Sequence, residues 1–244
     1  MPTPDYRPNS PRSFFWHRLR WRAVRRYIPN SKPLQPVDIG AGAGLIGSYL
    51  EVERPNVRYR FVEPIPSFEA DLERRYGPGA NLNDTASYPG MSVATLLDVL
   101  EHQADDRRFL SELVTKLDRG STLIVTVPAM PMLWSAFDEN IGHFKRYTKR
   151  QLAAATAGLR LRPLETSYLF PEMIPAALVR RRKQPPSGSG PAADMDTAMV
   201  ETLSDIPNIS AAVNQQLYTL GSATQAFRRV LPAGTSLLAA YQRY

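Results

Sequence analysis

Short apolar runs alternate with amphipathic stretches along most of the chain, and this pattern predicts strands and helices in turn. Strands are predicted at 37–39, 57–62, 93–97, 122–127 and 161–168, with a weaker one at 80–83 and a last one within 231–244. Helices are predicted between them, at 44–53, 67–76, 105–117 and 149–157. We therefore predict an α/β fold with a Rossmann-like, doubly wound, mainly parallel sheet of seven strands and helices on both faces.

The chain divides into a basic N-terminal helix, the main α/β domain, a flexible loop with a helical insertion, and a last strand, at residues 1–30, 31–180, 181–230 and 231–244. In the first helix Phe15, Leu19, Ala23 and Tyr27 recur at helical spacing, which predicts an inward face and leaves the arginines facing water. The connection at 128–148 is longer than simple joining requires, and such segments often cover a site.

Composition fits a folded domain in a reducing compartment. Of the residues 43% are hydrophobic, and there is no cysteine, which excludes disulfides and thiolate metal ligands. We see neither a membrane-spanning run nor a secretion signal and expect a cytoplasmic protein. The net charge of +7 suits an anionic partner, so a membrane surface or nucleic acid remains an alternative to solvated arginines. Residues 195–227 resemble helices without a motif and are candidates for an acceptor-side cap or a contact between identical subunits.

A glycine-rich turn joins the first strand of the α/β domain to its helix. Its sequence is Asp38-Ile39-Gly40-Ala41-Gly42-Ala43-Gly44. Glycines at this position let a ligand approach the backbone where the N–H groups of a helix point outward. Glu63 ends the next strand, where a carboxylate can accept hydrogen bonds from both hydroxyls of a ribose. The two features together indicate an adenosyl ligand.

A dinucleotide is the alternative ligand, because Gly42 to Gly47 also satisfies the G-x-G-x-x-G spacing. Asp38 argues against it, since a carboxylate beside the glycines repels a pyrophosphate but can pair with the amino group of a methionine moiety. A turn that is glycine-rich only for structural reasons is the third interpretation.

Two further motifs follow the later strands. Asp98-Val99-Leu100-Glu101-His102 follows the strand at 93–97, and Gly142-His143-Phe144-Lys145-Arg146-Tyr147-Thr148 lies in the long connection. With the glycine turn, they make the sequence resemble the class I S-adenosylmethionine-dependent methyltransferases, in the bacterial branch with D-V-L-E-H and G-H-x-R-R-Y-T segments. The resemblance covers roughly residues 15–170. It implies S-adenosyl-L-methionine as cofactor and S-adenosyl-L-homocysteine as product, with a binding set of Asp38, Gly40, Ala41, Gly42, Gly44, Glu63, Pro64, Asp84, Asp98, Val99 and Leu100.

His102 and His143 are the candidate catalytic bases, because histidine titrates near neutrality. The alternative for His102 is a structural residue that holds the loop, and Glu101 beside it either tunes its pKa or caps the next helix. The chain has three scattered histidines, and His17 is expected to be solvated or interfacial. Because no paired metal-ligand spacing is present, no metal site is predicted.

Four residues of the long connection are candidates for contact with the methyl acceptor, namely Trp134, Phe137, Arg146 and Tyr147. Arg146 suits an anionic group and Tyr147 a hydroxyl. Equally, both can hold the connection to the domain, and the two aromatic rings can be core residues.

These features predict a methyltransferase that acts on a hydroxyl of a small-molecule, natural-product or glycolipid acceptor, with membrane-surface contact as a further expectation. Nucleic acid is disfavoured as a partner. The alternatives are methylation of RNA or protein, suggested by charge alone, and a regulatory subunit that binds the cofactor without catalysis.

Overall fold

The computed structural model describes residues 12–28, 34–83, 85–188 and 209–244. Its strands are β1 (Pro36–Ile39), β2 (Arg60–Val62), β3 (Val93–Leu97), β4 (Thr122–Pro128), β5 (Leu161–Leu169) and β6 (Ser236–Arg243). Its α-helices are α1 (Phe15–Val24), α2 (Leu45–Glu53), α3 (Pro66–Tyr76), α4 (Asp106–Lys116), α5 (Ala136–Asn140), α6 (Lys149–Thr156), α7 (Ile174–Lys183) and α8 (Ala211–Ala226).

The six strands form one sheet in the order β2-β1-β3-β4-β6-β5. The pairs β1·β2, β1·β3 and β3·β4 are parallel, whereas β6 runs antiparallel to both of its neighbours, β4 and β5. The parallel part of the sheet agrees with the prediction from alternating strands and helices. Because parallel strands end at the same edge, the segments that follow β1, β2 and β3 lie close together.

The prediction of seven strands is wrong for the described part of the chain. The weak strand expected at 80–83 is replaced by a 3₁₀ turn, Pro78–Ala80, and one isolated parallel bridge between Phe61 and Asn81. The side chains of Asn81 and Asn83 donate hydrogen bonds to Glu69 on α3, at 2.6 and 2.8 Å. Pro78 favours the turn, and side-chain hydrogen bonds to α3 take the place of the backbone hydrogen bonds that a seventh strand needs.

Each face of the sheet carries its own hydrophobic core. Along β4, Leu123 and Val125 belong to one cluster, with residues of α4 and α6, whereas Ile124 belongs to the other, with residues of α1 and α2. Successive side chains of a strand point to opposite faces, so the alternation places helices on both sides of the sheet.

The apolar face of α1 is covered by the protein itself. Phe15, Leu19 and Ala23 are buried as predicted, whereas Tyr27, beyond the end of α1, is half-buried. The helix α8 packs on this face, and the Gln225 amide donates to the Leu19 carbonyl at 2.7 Å. The ring of Trp16 stacks on that of Phe170 at 3.8 Å between centroids. These contacts remove the argument for membrane contact through this face. No helix in the described residues has the length and apolarity to cross a membrane.

Candidate active site

The glycine turn leads from β1 into α2. Gly40 has φ +67 and a Cβ added there would come within 2.4 Å of Val99 Cγ2, so only glycine fits. Gly44 has φ +69, and no side chain caps the helix that begins after it. The N–H groups of the first turn of α2 are therefore suited to an external acceptor.

Glu63, at the end of β2, faces this turn. It is 2% exposed, and its two carboxylate oxygens accept hydrogen bonds from the backbone N–H of Gly42 at 2.7 Å and of Ile65 at 2.8 Å. The Asn83 side chain brackets its backbone, accepting from the Glu63 N–H and donating to its carbonyl, both at 2.8 Å. The carboxylate of Glu63 therefore lies between the glycine turn and the end of β2.

The predicted cofactor-binding residues differ in their exposure to solvent. Ala41 is buried, whereas Pro64, which follows Glu63, is exposed. Asp84, expected near an adenine ring, lies outside the described residues. Asn83 was not singled out in the sequence, because a side chain that supports a strand end has no motif of its own.

Asp38 is held in β1 by two hydroxyl donors. Tyr59 Oη donates to its carboxylate at 2.8 Å and Thr95 Oγ1 at 2.6 Å. Burial raises its pKa to about 6, and the two hydrogen bonds oppose this rise. A cationic group near Asp38 would favour its ionised form.

The raised pKa of Asp38 predicts a pH-dependent stability. The folded protein binds more protons than the unfolded chain between the ordinary pKa of 3.8 and about 6, so stability decreases as the pH rises through this window. In the variant Asp38→Asn this loss is absent. We expect the variant to gain up to about 3 kcal/mol relative to the natural protein between about pH 4 and 7, from 1.36 kcal/mol for each pKa unit.

Urea denaturation at several pH values, followed by circular dichroism, measures this gain. Glu51→Gln is the matched control, since Glu51 lies on the surface of α2 and pairs with Arg75. A stability difference between Asp38→Asn and the natural protein that is the same at every pH contradicts the assignment.

Asp98 directly follows β3 in a left-handed conformation, with φ 56, which is uncommon for a residue other than glycine. Thr126 Oγ1 donates to its carboxylate at 3.0 Å, and Arg20 of α1 forms an ion pair with it. The Arg20 side chain is only 15% exposed. The prediction that the arginines of α1 face water is therefore wrong for Arg20, whose charge is directed to the end of β3.

Of the other two predicted residues in this segment, Val99 packs against Gly40. Leu100 is fully buried. The segment after β3 therefore touches the glycine turn through Val99, while Leu100 anchors it in the core.

His102 and His143, scattered in sequence, lie side by side in the structure. Their rings meet edge to face, with centroids 4.7 Å apart. Burial, together with the neighbouring His143, lowers the pKa of His102 to about 4, so its ring is neutral at pH 7. Glu101 is fully buried beneath them, 3.7 Å from His143 Nε2, and burial raises the pKa of its carboxyl well above the ordinary value. His17, in contrast, lies on α1 with its ring against Phe14.

The connection between β4 and α6 is fastened by the fully buried Asp138. Its carboxylate accepts from Arg146 Nε at 2.8 Å, from the Ser135 N–H at 3.0 Å, and lies 3.0 Å from His143 Nδ1. The Tyr147 hydroxyl is 2.8 Å from the Asp106 carboxylate. Of the two interpretations of Arg146 and Tyr147, the geometry favours residues that hold the connection to the domain.

Trp134 and Phe137 are both half-buried in this connection. The Trp134 indole donates to Glu139 at 3.3 Å, and the guanidinium of Arg180 on α7 lies 4.6 Å from the centre of the Phe137 ring. Glu139 also accepts hydrogen bonds from Ser187, which lower its pKa to about 2. The end of α7 is thereby attached to the connection.

Comparison with known proteins identifies the fold. No protein-family model and no curated protein matches the chain at a significant level. Many solved structures, however, have a similar fold, and methyltransferases are among them. The chain thus has the Rossmann-like fold of the S-adenosylmethionine-dependent methyltransferases.

Three of these structures illustrate the similarity. A Haloferax volcanii complex of the Trm112 methyltransferase activator with a proposed methyltransferase matches with TM-score 0.58 and 14% identity, over 94% of this chain and 90% of that one. A SAM-dependent methyltransferase from Archaeoglobus fulgidus matches with TM-score 0.54 and 15% identity, over 91% of each chain. Geranyl diphosphate C-methyltransferase from Streptomyces coelicolor, in complex with Mg²⁺, geranyl diphosphate and S-adenosyl-L-homocysteine, matches with TM-score 0.54 and 16% identity, over 92% of this chain and 78% of that one.

Proposed function

We propose that this protein is an S-adenosylmethionine-dependent methyltransferase acting on a small-molecule acceptor. The observation that carries the proposal is the glycine turn with the Glu63 carboxylate across it. Val99 lies close to Gly40, and no side chain caps the first turn of α2. The backbone N–H groups of this turn are therefore suited to bind an adenosyl ligand. When bound, S-adenosylmethionine supplies a methyl group on a sulfonium centre.

Glu63 would hold the ribose hydroxyls, and Asp98 and Arg20 would hold the amino-acid end. The α-ammonium and α-carboxylate of a methionine moiety need one anionic and one cationic partner. Asp98 and Arg20 are such a pair at the end of β3. Asp38 adds a second carboxylate on the neighbouring strand β1, opposite Thr95, which lies three residues before Asp98.

His102 and His143 are proposed to manage the acceptor proton. Both are half-buried; His102 lies two residues after Leu100, and the ring of His143 lies against that of His102. The His102 ring is neutral at pH 7, as a base must be before it accepts a proton, and its lowered pKa makes it a weak base. This favours a hydroxyl acceptor, because only an acceptor that loses a proton requires a base. His143 is oriented by the Asp138 carboxylate on its other nitrogen.

The acceptor is proposed to be a small or amphiphilic molecule handled by a cytoplasmic enzyme, alone or as an oligomer of identical chains. The proteins of similar fold include enzymes for geranyl diphosphate and for phosphoethanolamine. The half-buried rings of Trp134 and Phe137 suit an apolar portion of such an acceptor.

Arg20→Ala tests the placement of the amino-acid end. We expect affinity for S-adenosylmethionine to fall about tenfold to a hundredfold, because a hydrogen bond to a charged group contributes about 1.5–3 kcal/mol. Isothermal titration calorimetry measures this change. Arg25→Ala is the matched control, since Arg25 follows α1 and pairs with Glu53 on the surface. Equal affinity in the two variants contradicts the role of Arg20.

An acceptor screen tests the reaction class. The protein is incubated with S-adenosylmethionine and panels of hydroxyl-bearing small molecules, RNA or protein, and formation of S-adenosylhomocysteine is measured. We expect product with a small-molecule panel, without competition by RNA at low salt. Product formed only with RNA or protein contradicts the proposed acceptor, and cofactor binding without turnover on any panel favours a regulatory subunit.

A further inference from the structure

Glu101, His102 and His143 form a compact cluster of groups that can ligate a metal. One potential ligand atom from each residue lies within 4.8 Å of those of the other two. Glu101 is fully buried, and within the described chain neither of its carboxylate oxygens has a hydrogen-bond partner. His102 Nδ1 is likewise buried without a partner there. Buried polar atoms without partners are costly, so an ion or a proton is expected at such a place.

Of the three carboxylates around the cluster, two form ion pairs with arginines and Glu101 does not. Asp98 forms an ion pair with Arg20, and Asp138 with Arg146. Among the described residues, Glu101 has no arginine or lysine within salt-bridge distance, and its only such neighbour is His143 Nε2, at 3.7 Å. A positive ion between the two would balance the third carboxylate.

The orientation of His143 is that of a metal ligand. Its Nδ1 lies 3.0 Å from Asp138 Oδ1, and its Nε2 faces Glu101. When the ring proton is on Nδ1, this nitrogen donates a hydrogen bond to Asp138, and the lone pair of Nε2 points into the cluster. A carboxylate behind a ligating imidazole is the usual support of histidine ligands in metalloproteins.

We propose that Glu101, His102 and His143 bind a divalent transition-metal cation of the Zn²⁺ type. Two imidazoles and one carboxylate form the protein ligand set of several catalytic zinc sites, and imidazole favours zinc, cobalt and nickel over magnesium. Bond lengths of about 2.0–2.2 Å require a tighter arrangement than the present 4.8 Å. His102 ends a 3₁₀ turn, Leu100–His102, and His143 lies in the connection at 128–148, and rotation of the two rings would supply this contraction.

Three protein ligands leave coordination positions open for another molecule. Val99, two residues before Glu101, touches the glycine turn, so the ion would lie on the acceptor side of the proposed cofactor. There it would bind the oxygen of an acceptor hydroxyl and release the proton to water, as zinc lowers the pKa of bound water. This use of the ion rests on the proposed function, whereas the binding site rests on its own geometry. With the ion bound, the histidines are ligands and the ion replaces them in handling the acceptor proton.

Direct metal titration tests the site. Full-length protein without a histidine tag is treated with a chelator, dialysed and titrated with Zn²⁺ by calorimetry and with Co²⁺ by visible absorption. We expect one ion per chain and Co²⁺ d–d bands typical of nitrogen and oxygen ligands. Asp138→Asn, which changes the residue behind His143, should weaken metal binding by roughly 10–100-fold. His102→Ala and His143→Ala, which each remove a proposed ligand, should weaken it further.

Two further variants distinguish loss of the metal site from loss of the fold. Glu101→Gln has the same shape and removes the buried charge, so we expect it to fold, as judged by circular dichroism, and to lose the ion. His17→Gln removes the remaining histidine, which lies outside the cluster, and should bind the metal normally. Absence of stoichiometric Zn²⁺ and Co²⁺ binding by the natural protein, or unchanged binding in folded Glu101→Gln, overturns the site. Titration with S-adenosylmethionine in the same samples tests the proposed function separately.

Discussion

Glu63→Ala is expected to lower the affinity for S-adenosylmethionine by about a hundredfold or more. The variant removes the carboxylate proposed to receive both ribose hydroxyls, and hydrogen bonds to a charged group contribute about 1.5–3 kcal/mol each. It also removes the acceptor of the Gly42 and Ile65 N–H groups, which hold the glycine turn against the end of β2. Isothermal titration calorimetry with S-adenosylmethionine and S-adenosylhomocysteine measures the loss.

Two controls separate the ribose contact from a general weakening of the fold. Glu51→Ala, at an exposed position on α2, should bind as the natural protein does. Glu63→Gln keeps one carbonyl acceptor and should fall between the two. If Glu63→Ala binds with the natural affinity while remaining folded, the proposed position of the ribose is wrong.

Asp138→Ala is expected to lower the free energy of unfolding by about 3–5 kcal/mol, because it leaves a buried arginine without its partner. Arg146 is 10% exposed at its side chain, and Asp138 also caps α5 through Ser135. A loss of this size is a large part of the stability of an ordinary domain. Urea denaturation, followed by circular dichroism at pH 7, measures it.

Asp71→Ala provides the comparison, since Asp71 pairs with Arg74 on the exposed face of α3. It should change stability by less than about 1 kcal/mol, as surface ion pairs do. A similarly small change for Asp138→Ala would show that the connection at 128–148 does not depend on this buried cluster.

The parts of the fold that the sequence predicts well are those in which local pattern and burial agree. The strand β3 coincides with the predicted run, and α4 is one residue shorter at each end than predicted. Asp105 caps α4 by accepting from the Arg108 N–H at 2.9 Å, a local signal that a sequence displays. The region 80–83 differs because its apolar pattern is weak and its asparagines bond to α3 instead.

The glycine turn and Glu63 were recognisable because their spacing is set by one strand-turn-helix unit and the strand that follows. Arg20 was not, since the helical pattern of α1 separates an apolar face from a polar one without showing what the polar face contacts. Its partner, Asp98, follows β3, which is far from α1 in the sequence. Only the packing of α1 on the sheet brings the two charges together.

The sequence likewise did not show the cluster of Glu101, His102 and His143, because only the fold brings these residues together. His143 lies in a connection whose course depends on Asp138, Arg146 and Tyr147. A search for metal ligands at regular spacing finds residues on one element, and it misses groups that two separate segments bring together. The expectation that no metal site exists followed from three scattered histidines without a paired metal-ligand spacing.

The central claim is that the glycine turn and Glu63 bind an adenosyl cofactor, and calorimetric titration of the purified protein tests it most directly. S-adenosylmethionine and S-adenosylhomocysteine are titrated first, with NAD and NADP as controls. We predict micromolar binding of both adenosyl compounds and no binding of the dinucleotides. Binding of NAD or NADP in preference to the adenosyl compounds, or no binding of any of the four, contradicts the claim.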